Sequence, residues 1–367
     1  MLFDKWPDRR IQDLLGVTHP IVQAPMAGPV FSDMVIAVSE AGGLGSLPCA
    51  LMDEERLRAE MGIIRQRTDK PFSVNFFCHT PPAFDAAREA RWRDRLRPYY
   101  IELGLDPDAP VPASNRTPFD AALCELVEEL RPPVVSFHFG LPERALLDRV
   151  KATGATVVSS ATTVAEAVWL EEHGCDAIIA QGAEAGGHRG NFLSDDMATQ
   201  IGTFALVPQV VDAVTVPVIA AGGIADARGI AAAFALGAAG VQVGTAYLYT
   251  PEARIAALHR AALRGEHAGE TALTNVFTGR PARGILNRVM RETGPLSDDA
   301  PAFPLAGGAL APLRAASEKA GSDGFMSLWA GQAARLSREM GAAELTRTLA
   351  AEAMARLAGL AGARRDG

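Results

Sequence analysis

The sequence predicts a (β/α)₈ barrel. Three observations carry this expectation. Eight short apolar runs recur along the chain, most are followed by a stretch of helical period, and the polar or Gly-rich residues gather at the carboxyl ends of the runs. Continuous apolar runs of this length suit strands buried on both faces of a parallel sheet. A doubly wound sheet is the competing architecture, and it is disfavoured because no GxGxxG follows the first run.

In chain order the runs are Pro20–Met26, Gly43–Cys49, Phe72–Phe77, Val134–Phe139, Thr156–Ala161, Ala177–Gln181, Pro217–Gly222 and Gly240–Leu248. Helical patterns follow at Asp33–Ala41, Asp53–Gln66, Pro142–Ala152, Thr163–His173, Asp226–Leu236 and Pro251–Leu263. Thr162 or Thr163 and Asp226 are suitable N-caps, and Pro251 suits a first helical turn. Gly154, Gly174 and Gly237 close helices as residues that tolerate a left-handed backbone. Two stretches break the rhythm. Residues 80–119 read as an insertion after strand three, and the barrel pattern stops after Leu263. Residues 1–263 are therefore expected to form the barrel. Residues 264–367 are expected to form a helical C-terminal region that packs on the barrel or caps the site, with helices near Ala311–Ala320, Phe325–Met340 and Ala342–Ala361.

Composition excludes several function classes. A chain of 367 residues with 48% hydrophobic content can bury an ample core. A net charge of −8 leaves no basic footprint for nucleic acid. The short runs Arg91–Arg97 and Arg364–Arg365 read as a solvated helix face and a tail. Four cysteines lie far apart without CxxC spacing, which argues against a disulfide framework and for a reducing compartment. Met1–Arg10 is charged and lacks an apolar signal core, and no apolar stretch reaches the length of a membrane span. A cytoplasmic protein that binds neither membrane nor nucleic acid is expected, its oligomeric state open.

Barrel enzymes place their chemistry at the carboxyl ends of the strands. Here those ends carry Met26, Asn75, His138, Ser159–Ser160, Gln181, Gly222–Gly223 and Gln242–Thr245. Strands seven and eight end in Gly222-Gly223 and Gly244-Thr245, where backbone N–H groups and a hydroxyl could meet a phosphate. Gln181 offers an amide that both donates and accepts, which suits the edge of a flavin ring. Gly186 and Gly187 let the next loop lie close against a flat ring. His188 follows them and is the candidate catalytic residue. His138 is its rival on the substrate side, or else a hydrogen-bonded wall residue. Glu184 reads as a group that orients a neighbour or pairs with Arg189. No HExxH, calcium loop, Cys/His cluster or GxSxG elbow is present, so no metal is expected, and the hard chemistry falls to an organic cofactor.

At these residues the chain resembles the nitronate monooxygenase family, formerly called 2-nitropropane dioxygenases, and its class I in particular. The matching segments are PIVQAPMAGP (20–29), GGLGSLP (42–48), SVNFF (73–77), SFHFGLP (136–142), AQGAEAGGHRG (180–190), PVIAAGGIAD (217–226), GVQVGTAYL (240–248), FTGRPARGI (277–285) and SLWAGQ (327–332). The resemblance implies an FMN barrel that oxidises alkyl nitronates with O₂ to carbonyl compounds and nitrite, without NAD(P)H. Carried over by position, FMN contacts fall on Met26, Asn75, Gln181, Gly186, Gly223, Gln242, Gly244 and Thr245, and the catalytic histidine on His188. Protonated, His188 would hold the nitro oxygens; neutral, it would take an α-proton from a nitroalkane. One departure touches the substrate. The family tends to carry tyrosine before the proline of the tail passage, and this chain has Phe303-Pro304. Two other readings stand beside this one. An FMN-dependent NAD(P)H reductase of enoyl-thioester or quinone type would bleach its flavin with NAD(P)H under anaerobic conditions. A non-catalytic flavin-binding module would hold flavin that no nitronate reduces.

Overall fold

The computed structural model describes residues 5–112 and 116–362, so the Arg364–Arg365 run lies outside the described residues. The strands, in order, are β1 (Ile21–Gln23), β2 (Gly45–Pro48), β3 (Phe72–Phe77), β4 (Val134–His138), β5 (Thr156–Ala161), β6 (Ala177–Gln181), β7 (Gly187–His188), β8 (Val218–Ala221), β9 (Gly240–Val243), β10 (Thr271–Thr274) and β11 (Ala282–Ile285). Eight of them form one parallel sheet in the order β1-β9-β8-β6-β5-β4-β3-β2. A parallel bridge between Val22 and Leu44 joins its two ends. The fold is therefore the closed (β/α)₈ barrel.

The two-residue period of a strand explains the interior. Val74, Phe76, Val135, Phe137, Ile178, Ala180, Val241 and Val243 join the core between sheet and helices. Val22, Leu44, Val134, Val158, Ile179 and Ile219 join a separate cluster with Ile11 and Leu15. Those two come from the helix Arg10–Leu15. The same parity gives the inward face Asn75, Ser136, His138, Ser160, Gln181 and Gln242 near the carboxyl ends. The register aligns Asn75 with Ser136 and Phe77 with His138. Polar groups thus converge on one end of the barrel, and apolar ones fill the rest.

Several helices begin where their caps predict. Thr163 accepts from the Glu166 N–H and Asp226 from the Arg228 N–H. Gly154, Gly174 and Gly237 have φ of 88°, 96° and 93° at the helix ends. Pro251 does not open a helix; that helix runs Ala257–Arg264. The eighth strand is also shorter than its apolar run, because Thr245–Tyr249 turns into a 3₁₀ helix whose Ala246, Tyr247 and Leu248 are buried.

The tail is mixed rather than helical. It forms β10 and β11, and β11 pairs antiparallel with β7. No α-helix forms across 325–340; that stretch holds turns and one 3₁₀ segment, Ala334–Leu336. The final helix, Ala342–Gly362, packs against the helices Ser32–Glu40 and Ala227–Ala235. Its Leu345, Leu349 and Ala353 are buried in the main core, each leucine worth roughly 1.5–3 kcal/mol. Tyr247 Oη meets Thr346 Oγ1 at 2.8 Å. The barrel is thus not confined to residues 1–263, because its outer ring is completed from the far end of the chain.

The 80–119 insertion packs on the tail. Its helix Ala86–Glu102 buries Trp92, Leu96 and Tyr100 in a second core with Val276, Phe277, Val289, Met290 and Leu313. Trp92 Nε1 donates to the Ala306 carbonyl at 3.2 Å, and Tyr100 Oη to the Ala309 carbonyl at 2.6 Å. Among the described residues no helix is long and apolar enough to cross a membrane.

Candidate active site

A cavity of about 590 Å³ opens at the carboxyl end of the barrel. Met26, Asn75, His138, Gln181, Gly186, His188, Gly223, Gln242, Gly244 and Thr245 all line it. So do residues that sequence reasoning did not single out, notably Arg116, Arg254, His259, Arg314 and Trp329. No carboxylate lines it among the described residues. A concave volume of this size, with cations and no acids, fits an anionic ligand as large as a nucleotide-type cofactor.

At one end the wall is glycine. Gly222 and Gly223 have φ of 109° and 68°, a region that side-chain-bearing residues rarely adopt. The helix beyond them is already capped by Asp226, so a phosphate here would meet loop backbone rather than a free helix terminus. Across the mouth, Thr245 Oγ1 accepts from the Gly331 N–H at 2.9 Å and retains its own proton to donate. The Gln242 amide has no hydrogen-bond partner among the described residues, although it lines the cavity. An unpaired amide facing a large cavity suits the polar edge of a heterocycle. These features fit a flavin.

Gln181 lines the cavity and also holds its own loop. Its Nε2 donates to the His188 carbonyl at 3.0 Å, and its Oε1 accepts from the Gly190 N–H at 2.8 Å. The amide pins the loop that carries His188. Asn75 donates to Ser136 Oγ at 2.9 Å. His138 also serves the loop. Its Nε2 lies 3.3 Å from the His188 carbonyl and its Nδ1 2.6 Å from Ser160 Oγ. A carbonyl only accepts, so Nε2 carries the proton and Ser160 donates to Nδ1. Burial, aided by Arg280, pushes its pKa down to about 3. His138 is neutral, and both ring nitrogens are engaged.

The loop is held from every side. Arg189, fully buried, donates to the carbonyls of Gln181 and Gly182 at 2.7 and 2.6 Å and to Gln200 Oε1 at 2.8 Å. It forms no salt bridge with Glu184, which instead caps the helix Thr203–Ala213 by accepting from the Thr203 N–H and hydroxyl. A Cβ on Gly186 would lie 2.5 Å from the Gly331 nitrogen and 2.6 Å from the Ala330 carbonyl carbon, so only glycine admits the tail at this point.

His188 sits in an aromatic ring wall. Phe303 and Trp329 approach it at centroid distances of 5.4 and 5.7 Å. Phe303 is buried against the histidine and does not itself line the cavity. Phe139, at φ 71°, is a strained non-glycine residue covered by the Arg280 guanidinium at 4.2 Å. Burial, then Arg116, His138, Arg280 and His79, hold the His188 pKa well below its ordinary value. The imidazole is neutral at neutral pH, the form that can accept a proton. Among the described residues no group of three or more His, Cys, Asp or Glu is placed to hold a metal.

Comparison with known proteins follows the same line. The sequence model described as nitronate monooxygenase matches residues 8–352. A nitronate monooxygenase of Pseudomonas aeruginosa is 45% identical over 347 residues, covering 94% of this chain and 98% of that one. One from Paraburkholderia phytofirmans is 42% identical over 352 residues, covering 95% and 96%. The solved structure of a nitroalkane oxidase from Streptomyces ansochromogenes superposes with a TM-score of 0.87 at 39% identity, covering 96% of this chain and 99% of that one.

Proposed function

The chain belongs to the nitronate monooxygenase family, and from that premise we propose that it is an FMN-dependent enzyme that oxidises alkyl nitronates, and nitroalkanes after deprotonation, with O₂ to carbonyl compounds and nitrite. One observation carries the reading. A neutral histidine, His188, lines a cavity that bears arginines and, among the described residues, no carboxylate. A nitronate is an anion, and such a cavity attracts it without competing for its charge.

Flavin, when bound, supplies the electron acceptor and the route to O₂. The protein does the rest. Gly223, Gly244 and Thr245 would receive the phosphate, and Gln242, Asn75 and Met26 the ring system. Gln181 and His138 fix the backbone of His188. The neutral imidazole takes the α-proton of a nitroalkane, leaving the nitronate in place. Arg116 and Arg314 give the anion side of the cavity its charge.

The test is turnover of nitroethane and of ethylnitronate by the purified protein and by His188→Asn, read as O₂ consumption and nitrite release, with the released cofactor identified by mass. The proposal expects FMN, and a loss of about 10²-fold or more on nitroethane in the variant. A variant that binds FMN and keeps full turnover on both substrates sinks the assignment of His188. Release of another flavin sinks the assignment of FMN.

A further inference from the structure

We propose that Thr278 is a positioning residue that fixes the tautomer of His188, so that Nε2 stays protonated and Nδ1 is the atom that takes the substrate proton. The inference rests on the reading of His188 as a base and deepens it.

The geometry is a one-way chain. His188 Nε2 lies 3.0 Å from Thr278 Oγ1. Thr278 donates to the Arg280 carbonyl at 3.3 Å. Its oxygen also accepts from the Arg280 N–H at 3.5 Å. A hydroxyl has one proton to give and two lone pairs to receive with. The Arg280 carbonyl can only accept, and we assign the hydroxyl proton to it. On this assignment the remaining lone pair of Thr278 receives a proton from His188, and Nε2 carries it. Nδ1 has no protein partner among the described residues, and the ring lines the cavity. Thr278 is itself buried, so water does not compete for its hydroxyl.

The fold supports this arrangement from two directions. The antiparallel register places His188 opposite Ala282, a few residues past Thr278. The segment that orients the ring is thus stitched to the strand that carries it. The His188 carbonyl is meanwhile held by Gln181 and His138 from inside the barrel. Backbone and ring are fixed by separate groups. A base oriented by a third group is a general solution in active sites. In the step itself the Cα–H bond of the nitroalkane breaks. Its electron pair stays on the substrate as the nitronate, and the proton goes to Nδ1. The imidazolium so formed is stabilised by the Nε2–H···Oγ1 bond.

The test uses ¹⁵N-histidine-labelled holoenzyme and the variants Thr278→Val, Thr278→Ser and His188→Asn. Imidazole ¹⁵N spectra read the tautomer without any turnover, with His188→Asn assigning the resonances. The wild type is expected to show His188 protonated on Nε2 alone. Thr278→Val is expected to show both tautomers and to lose about 10-fold in kcat on nitroethane, with KM and turnover of pre-formed ethylnitronate little changed. Thr278→Ser restores both readouts. A wild-type His188 protonated on Nδ1 overturns the proposal. So does a Thr278→Val variant with an unchanged tautomer and unchanged nitroethane kcat, while His188→Asn remains inactive. If His188→Asn keeps nitroethane turnover, the reading of His188 as base fails instead, and the tautomer spectrum still judges Thr278.

Discussion

Replacing Gly186 with alanine tests the seam between the His188 loop and the tail. The added Cβ would sit 2.5 Å from the Gly331 nitrogen and 2.6 Å from the Ala330 carbonyl carbon, both backbone atoms that cannot rotate away. Either the loop or the tail must move. Overpacking of this kind costs about 1–3 kcal/mol. Movement also strains two bonds across the seam, Gly331 N–H to Thr245 Oγ1 at 2.9 Å and Gln332 N–H to the Glu184 carbonyl at 3.0 Å. Each is worth about 1 kcal/mol, so a total near 3–5 kcal/mol follows. An unfolding entropy of about 2.1 cal/mol/K per residue over 367 residues gives roughly 0.8 kcal/mol/K. The expected loss in Tm is therefore about 4–6 °C, read by thermal unfolding of the holo protein. Flavin affinity, read by fluorescence titration, should fall about tenfold or more, because Thr245 and Gly186 both line the cavity. Gly62→Ala is the control. It lies inside the helix Glu54–Arg67 with nothing within 4 Å of its Cβ position, and should gain about 0.5–1 kcal/mol. A Gly186→Ala protein with wild-type Tm and flavin affinity would refute the contact.

Two further outcomes can be measured on the same protein. Burial holds His79 and His259 down to about 4 and His138 to about 3, and His188 well below its ordinary value. Their folded values lie below the unfolded value of about 6.5, so the unfolded chain takes up protons first as pH falls. Their contribution to stability is full above about pH 6.5 and is lost progressively below it, at up to about 1.4 kcal/mol per pH unit for each group. Denaturant unfolding should show a steep fall between pH 7 and 5, and a flat profile would contradict the buried neutral histidines. Arg189→Met removes donors from the Gln181 and Gly182 carbonyls and from Gln200. At about 1–3 kcal/mol for each of the two buried carbonyls left unpaired, urea unfolding should show a loss of about 2–6 kcal/mol, and a loss under 1 kcal/mol would contradict the latch.

The barrel was legible because its strands are buried on both faces, and apolar runs report that burial directly. Polar residues at their ends report the mouth. The same signal overran β9, because the apolar residues Ala246, Tyr247 and Leu248 are buried in a 3₁₀ turn and leave the same trace as a strand. β10 and β11 span only four residues each and owe their pairing to each other and to the His188 loop, a partner about a hundred residues away. No local pattern announces them. The loop-holding bonds of Gln181 were not legible for a similar reason. An amide at a strand end looks the same whether it faces a ligand or its own loop. Arg116 and Arg314 reach the cavity from the insertion and the tail, and nothing in their sequence surroundings marks them. Thr278 lay within a segment that matched the family, yet its meaning appears only when His188 Nε2 stands 3.0 Å away. Phe303, which sequence reasoning placed near the substrate, packs its ring against His188, a contact that no local sequence pattern announces.

The central claim is that this cavity passes electrons from a nitronate to a bound flavin. Anaerobic mixing of the purified yellow protein with ethylnitronate, and separately with NADPH, tests it most directly through flavin absorbance. The account predicts rapid loss of the oxidised flavin band with ethylnitronate and none with NADPH. Bleaching by NADPH with no response to ethylnitronate would contradict it.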